Sequence, residues 1–140
     1  MGTYYVNEAV FNLPDRGFVD RTLHRLESAL PGEDPLRVEV RRVPMEPGKS
    51  LRRHVEEEIE KTKLKVSGFT LAELTEVTIA GAPAIVLRAR LRARDTVHVQ
   101  LQAHVALGET WIALVVSGPS AELALVDGTF DRVLQSLEWR

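Results

Sequence analysis

The chain contains no cysteine. Disulfides, thiol nucleophiles and thiolate metal sites are excluded together, which fits a reducing cytosol. Charge of one sign is also lacking. The 18 Lys and Arg against 20 Asp and Glu leave a net charge of −2, so no basic field recruits nucleic acid or anionic lipid. No apolar run is long enough to span a bilayer. Met1 to Leu13 carries Asn7 and Glu8 and no basic segment ahead of an apolar one, so it does not read as a signal peptide. A glycine-rich phosphate loop, a Gly-x-Ser-x-Gly elbow and a His-Glu-x-x-His zinc motif are all missing. An enzyme is therefore the lesser reading, and the expected compartment is the cytoplasm.

What is present is alternation. From Ile85 to Ser117, apolar residues recur at period two. Ile85, Leu87, Ala89, Leu91 and Ala93 are interleaved with Arg88, Arg90, Arg92 and Arg94, and Val97, Val99, Leu101, Ala103, Val105 and Leu107 with His98, Gln100, Gln102 and His104. Such a pattern marks half-buried strands with one face in a core. The 140 residues fit one domain, residues 1–140, with no internal repeat or linker.

Shorter signals fill in the rest. Tyr4 to Leu13 reads as short β structure closed by Pro14-Asp15, and Asp20 to Ala29 as a strand. Leu36, Val38 and Val40 alternate with Arg37, Glu39 and Arg41 in another, ended by Pro44, Pro47 and Gly48. Ser50 can cap a helix to about Leu64 with Leu51, Val55 and Ile59 on one stripe. Leu71 to Ile79 reads as a strand with Val77 and Ile79 in the core. A closing helix from about Ser120 to Leu137 buries Leu123, Val126, Phe130, Val133, Leu134 and Leu137. Two helices cannot cover both sides of a broad sheet. The expected fold is α+β: an antiparallel sheet of six to seven strands with two helices packed on one face.

A bare second face follows, and its make-up depends on register, because a slip of one residue swaps the faces. A three-residue loop through Arg94-Asp95-Thr96 sets Leu91 opposite Val99 and puts Arg92, Arg90 and Arg88 beside His98, Gln100 and Gln102. Gly108-Glu109 suits a two-residue type II′ turn. It places Val105 opposite Ile112 and Leu101 opposite Val116, and brings Trp111, Ala113 and Val115 to the face of Gln100, Gln102 and His104. Pairing Ile79 with Ile85 sets Glu76 opposite Arg88 and Leu74 beside Arg90. The arginines suit a solvated face, and four at period two also suit a phosphate backbone. The adjacent strand offers no aromatic run for base stacking, so a nucleic-acid partner is not expected. Amides beside small apolar residues suit an extended or helical peptide; the same surface also suits a homodimer contact or a small-molecule cleft near Trp111. His98 and His104 are separated by roughly 20 Å of strand and cannot share one metal. No metal or cofactor is expected.

Several short motifs resemble a known family. Phe11-x-Leu13-Pro14 followed by Asp20-x-Thr22, the charged helix after Pro47-Gly48, and the closing helix with Phe130, Val133, Leu134, Ser136 and Leu137 resemble DcrB-like domains of the PsbP/DcrB fold. The opening Tyr5-Val6-Asn7-Glu8 and Phe11-x-Leu13-Pro14 is similar to the Eag adaptor chaperones of type VI secretion. That resemblance implies a cytosolic homodimer that cradles N-terminal hydrophobic or transmembrane segments of a secreted effector and loads the effector for export, without itself inserting stably in a membrane. It also implies glutamines that mimic helix-to-helix polar contacts. The matching positions are Thr22, His24, Gln100 and Gln102. With the face derived above, the expected client-binding set is Thr22, His24, Arg90, His98, Gln100, Gln102, His104, Trp111, Ala113 and Val115. The alternative is a general DcrB-like interaction module with soluble partners and no catalysis.

Overall fold

The computed structural model describes residues 2–6, 9–13, 23–28, 35–93 and 95–139. Strands β1 (Gly2–Val6) and β2 (Ala9–Leu13) form an antiparallel pair of their own. Six further strands make one antiparallel sheet: β3 (Leu23–Ser28), β4 (Leu36–Pro44), β5 (Thr70–Ile79), β6 (Ala82–Ala93), β7 (Thr96–Leu107) and β8 (Thr110–Pro119). Their spatial order is β3-β4-β8-β7-β6-β5. Helix α1 (Leu51–Lys65) joins β4 to β5, and α2 (Leu123–Ser136) follows β8 through a single 3₁₀ turn. The α+β class, the six-stranded antiparallel sheet and both helices agree with the expectation.

The position of α1 follows from connectivity. It must carry the chain from β4 to β5, four strand spacings away, about 19 Å. Its 15 residues are about 22 Å long, so it lies across the strands rather than along them. Ser50 starts it by accepting a hydrogen bond from the Arg53 backbone N–H at 3.2 Å. Val55 and Ile59 then enter a core with Ile85, Leu87, Ala89 and Trp111. Helix α2 builds a different core. Its Val126 and Phe130 pack with Val99, Leu101, Ala103, Val105, Leu114 and Val116. Gly118 allows that approach, since a Cβ there would lie 3.0 Å from Val126 Cγ2. Each fully buried Val, Leu or Phe in these clusters contributes roughly 1.5–3 kcal/mol.

The two cores lie on opposite faces, which corrects the expected one-sided packing. Ile85, Leu87 and Ala89 sit directly opposite His104, Gln102 and Gln100 and share the α1 face, whereas Ala84 and Val86 sit opposite Val105 and Ala103 on the α2 face. The physical reason is that both parities of the central strands are buried. The odd residues of β6 serve one helix and the odd residues of β7 serve the other.

Register moves with this. Ala93 pairs with Thr96, leaving a two-residue connection rather than three, and Leu91 faces His98, not Val99. Arg88, Arg90 and Arg92 therefore pair with Leu101, Val99 and Val97 and belong to the α2 face. Between β5 and β6, Ile79 pairs with Ala82 and Glu76 with Ile85, so Glu76 is not opposite Arg88 and Leu74 lies opposite Leu87. The connection there is Ala80-Gly81, both at positive φ, which demands a tight turn and leaves no room for the longer loop. Val77 proves exposed at 37% rather than core. The β7–β8 pairing agrees with the derived one: Val105 faces Ile112, Leu101 faces Val116, and Gly108 alone of the two turn residues has positive φ.

Candidate functional site: a polar row on the helix-crossed face

Seven of the expected residues share the α1 face: His98, Gln100, Gln102, His104, Trp111, Ala113 and Val115. His24 and Arg90 do not join them. His24 pairs with Val40, which pairs with Leu114, and Arg90 pairs with Val99; both lie on the α2 face. Thr22 lies outside the described residues.

Exposure divides the seven. Trp111, His104 and Ala113 are buried, because α1 crosses the sheet over that end. The indole is clamped by His54 of α1, whose ring meets it edge-on with centroids 5.5 Å apart at 61°. His54 is itself held by the turn ahead of α1. Its Nε2 accepts from the Glu46 backbone N–H at 3.0 Å, and its Nδ1 donates to the Ser50 carbonyl at 2.8 Å. Gln100, Gln102, His98 and Val115 remain half-buried, where α1 has moved away toward β5.

Four of the seven, Trp111, His104, Gln102 and Gln100, are joined in a single hydrogen-bonded row. Trp111 Nε1–H donates to His104 Nδ1 at 2.9 Å. An indole nitrogen can only donate, so Nδ1 must accept, and the neutral imidazole carries its proton on Nε2. Nε2–H then donates to Gln102 Oε1 at 2.7 Å. With that oxygen fixed, Gln102 Nε2 donates to Gln100 Oε1 at 2.8 Å. The row reaches Gln100, and the next residue on this face of β7 is His98, whose Nε2 is buried. Burial, with a smaller contribution from the Arg41 guanidinium, pushes the His104 pKa from 6.5 down to about 4. The imidazole is thus neutral at pH 7, as the row requires.

Strands β3 and β4 extend this face with charges that the β6–β8 pattern alone did not reveal. Arg37, Glu39 and Arg41 pair with Ser117, Val115 and Ala113, and Leu23, Arg25 and Glu27 extend the face onto β3. Arg25 meets Glu39 at 3.1 Å, Arg37 meets Glu27 at 3.0 Å, and Arg41 meets Glu58 of α1 at 3.5 Å. The alternation of Arg37, Glu39 and Arg41 was visible in the sequence. That β4 lies beside β8 was not, since that contact spans some 70 residues of chain. Among the described residues, the half-buried part of the face that α1 leaves is thus Gln100, Gln102, Val115 and Ser117, bordered by α1 on one side and by cross-strand ion pairs on the other.

The opposite face carries a separate recess of about 320 Å³ between β5, β6 and α2. Glu73, Arg88, Asp127, Phe130 and Asp131 contribute to it, and Arg88 bonds Asp127 at 2.8 Å. This explains how an arginine is tolerated beside Leu101: it is held by a helix carboxylate rather than buried unpaired.

A six-stranded antiparallel sheet, with one helix crossing a face and a C-terminal helix on the other, places the protein with the PsbP-like α+β folds. The sequence pattern of the DcrB family matches residues 8–136, and the chain belongs to that family. Similar solved structures share the fold at low identity. The Pseudomonas aeruginosa protein PA94, described as of unknown function and a suggested regulator, is 16% identical with a TM-score of 0.82, over 99% of this chain and 96% of that one. LpqN of Mycobacterium tuberculosis, described as involved in cell envelope biogenesis, is 12% identical with a TM-score of 0.66, over 79% of this chain and 67% of that one. The PsbP protein of the cyanobacterium Synechocystis sp. PCC 6803 is 14% identical with a TM-score of 0.55, over 86% and 94%. No curated protein sequence matches the chain. Among the described residues, no helix is long and apolar enough to cross a membrane.

Proposed function

We propose that this DcrB-family chain is a cytoplasmic, non-catalytic adaptor chaperone of the Eag kind. It holds N-terminal apolar or transmembrane segments of a type VI secretion effector, as a homodimer, and presents the effector for loading. The observation that carries the reading is the half-buried amide pair Gln100–Gln102 beside Val115, on a stretch of sheet that neither helix covers. Such a surface gives an apolar helix van der Waals contact and a few hydrogen bonds together.

A cationic floor would oppose this use, since an arginine buried unpaired against an apolar helix is costly. The floor is not cationic. Arg88, Arg90 and Arg92 belong to the other face, and Arg37 and Arg41 are held by Glu27 and Glu58. The surface is smaller than the full set of alternating residues. Trp111, His104 and Ala113 support it from beneath and do not touch a client.

Co-expression with the apolar segment of an effector encoded beside this gene tests the reading. Gln102→Ala and Val115→Asp are expected to weaken retention on affinity resin while the melting temperature changes little. Full retention by both variants refutes the site. The charged border favours a second reading, a general interaction module with soluble partners. Binding by that module would fall steeply with added salt, whereas capture of an apolar segment would persist.

A further inference from the structure

The recess on the α2 face lies where the closing helix stops short of the sheet edge. Val126 and Phe130 seat α2 on β7 and β8, and the space left beside β5 and β6 is about 320 Å³, the lower end of the size of small-ligand sites. Val86, Leu101 and Phe130 give it an apolar floor, and Glu73, Asp127 and Asp131 bring three carboxylates. Asp127 is already engaged, holding Arg88 at 2.8 Å. Glu73 and Asp131 are exposed and have no ion pair among the described residues. The chain itself aims Glu73 here. Leu71 lies opposite Ala89 on the α1 face, and strict alternation would return Glu73 to that face. A bulge between Leu71 and Glu73 brings Glu73 opposite Arg88 instead. Arg88 nevertheless bonds the helix carboxylate, so Glu73 stands beside a guanidinium that another group holds.

We propose that this recess binds an aliphatic diamine, with one ammonium at Glu73, the other at Asp131, and the hydrocarbon chain along Val86, Leu101 and Phe130. Charge decides the sign of the ligand. Three carboxylates against one guanidinium leave the recess at −2, and the guanidinium is satisfied, so nothing there calls for an anion. Spacing decides its shape. Among the described residues, no three carboxylate or imidazole groups gather closely enough to hold one metal ion. Two separated free carboxylates, one on β5 and one on α2, suit two cations on one flexible chain better than a point charge. The floor adds contact for the methylenes while the ammonium heads stay in water, as a lysine stem lies along apolar surface. The site is on the face away from Gln100 and Gln102 and does not depend on the chaperone reading.

Titration of the full chain in low salt, followed by amide ¹H–¹⁵N shifts, tests this with four probes: 1,5-diaminopentane, pentylamine, 1,5-pentanediol and calcium chloride. The diamine is expected to move the amides of Glu73, Thr75 and Asp131 and to bind roughly three- to five-fold more tightly than pentylamine, the worth of one exposed ion pair. The diol should move none of them. Glu73→Gln and Asp131→Asn should each bring the diamine down to the affinity of pentylamine. Both side chains are exposed and unpaired, so the variants should fold as the parent does. Gln102→Ala and Val115→Asp, on the other face, should leave diamine binding unchanged, which separates this site from the proposed client surface. Equal affinity for diamine and pentylamine, full diamine binding by both carboxylate variants, or no shift at all overturns the proposal. Calcium moving the same amides as strongly as the diamine overturns it too, since the recess would then be a general cation surface.

Discussion

The neutral, buried His104 ties stability to pH in a way that can be measured. Its folded-state pKa is about 4 against 6.5 ordinarily, mainly because burial penalises the imidazolium. Between those values the unfolded chain binds the proton and the folded one does not. Stability from this group is therefore fully present above about pH 6.5 and is lost as pH falls toward 4. At 1.36 kcal/mol per pH unit the whole window is worth about 3 kcal/mol, of which about 2 kcal/mol is lost by pH 5. Urea unfolding at pH 7.5 and pH 5, followed by tryptophan fluorescence, reads this directly. His104→Gln keeps an acceptor for Trp111 and a donor for Gln102 but does not titrate. The wild type should be the more stable at pH 7.5, and its advantage should shrink by about 2 kcal/mol at pH 5. Glu46 and Glu57, whose pKa values are lowered chiefly by hydrogen bonds to Lys49, are present in both proteins, so their titration cancels. Arg41→Gln removes the secondary cause and should reduce the loss. Parallel pH dependence in wild type and His104→Gln would refute the buried, donor-bound imidazole.

Three further outcomes follow from the packing. Gly118→Ala should cost about 1–3 kcal/mol in denaturant unfolding, since the new methyl meets Val126 Cγ2 at 3.0 Å and Leu36 Cδ1 at 3.6 Å; an unchanged midpoint would place α2 farther from β8. Val55→Ala and Val126→Ala should each cost about 2–3 kcal/mol. Lying on opposite faces, the two should add within about 0.5 kcal/mol in the double variant, and a larger coupling energy would put both helices on one core. Ser50→Ala should lower stability by about 1 kcal/mol through loss of its bond to the Arg53 N–H, and Ser50→Gly by only a few tenths of that.

Much of the fold was legible because its signals are local. Ser50 with Val55 and Ile59 gave α1, the Val126–Phe130 stripe gave α2, and Gly108-Glu109 gave a turn whose register holds residue for residue. The errors share one cause. Taking both helices to lie on one side required the odd residues of β6 and β7 to face the same way, and that forced the three-residue loop. The alternation of β6 and β7 is compatible with either parity. What decides is whether a second helix covers the other face, and that depends on where β4 and β5 stand in the sheet. Strand order is a long-range property with no counterpart in periodicity. The same gap hid Arg37, Glu39 and Arg41 from the candidate site.

The register that resulted has a cost that explains the polar row. With β6 and β7 paired at opposite parity, apolar residues of one lie beside polar residues of the other on both faces, the pairs Ala84–Val105 and Val86–Ala103 excepted. Leu87 lies beside Gln102, Ile85 beside His104, and Leu101 beside Arg88. A covered sheet tolerates this only where each polar group is matched. On the α2 face the match is Asp127. On the α1 face the charges of β3 and β4 are paired with one another and with Glu58, and His104 and Gln102 are matched to each other, to Trp111 and to Gln100. That chain begins under α1 and runs outward to where neither helix covers the sheet. The surface proposed above thus adjoins the outer end of a network that the core itself requires. This is why substitutions at buried Trp111 or His104 should alter how the Gln102 and Gln100 amides are oriented, although neither residue lies at the surface.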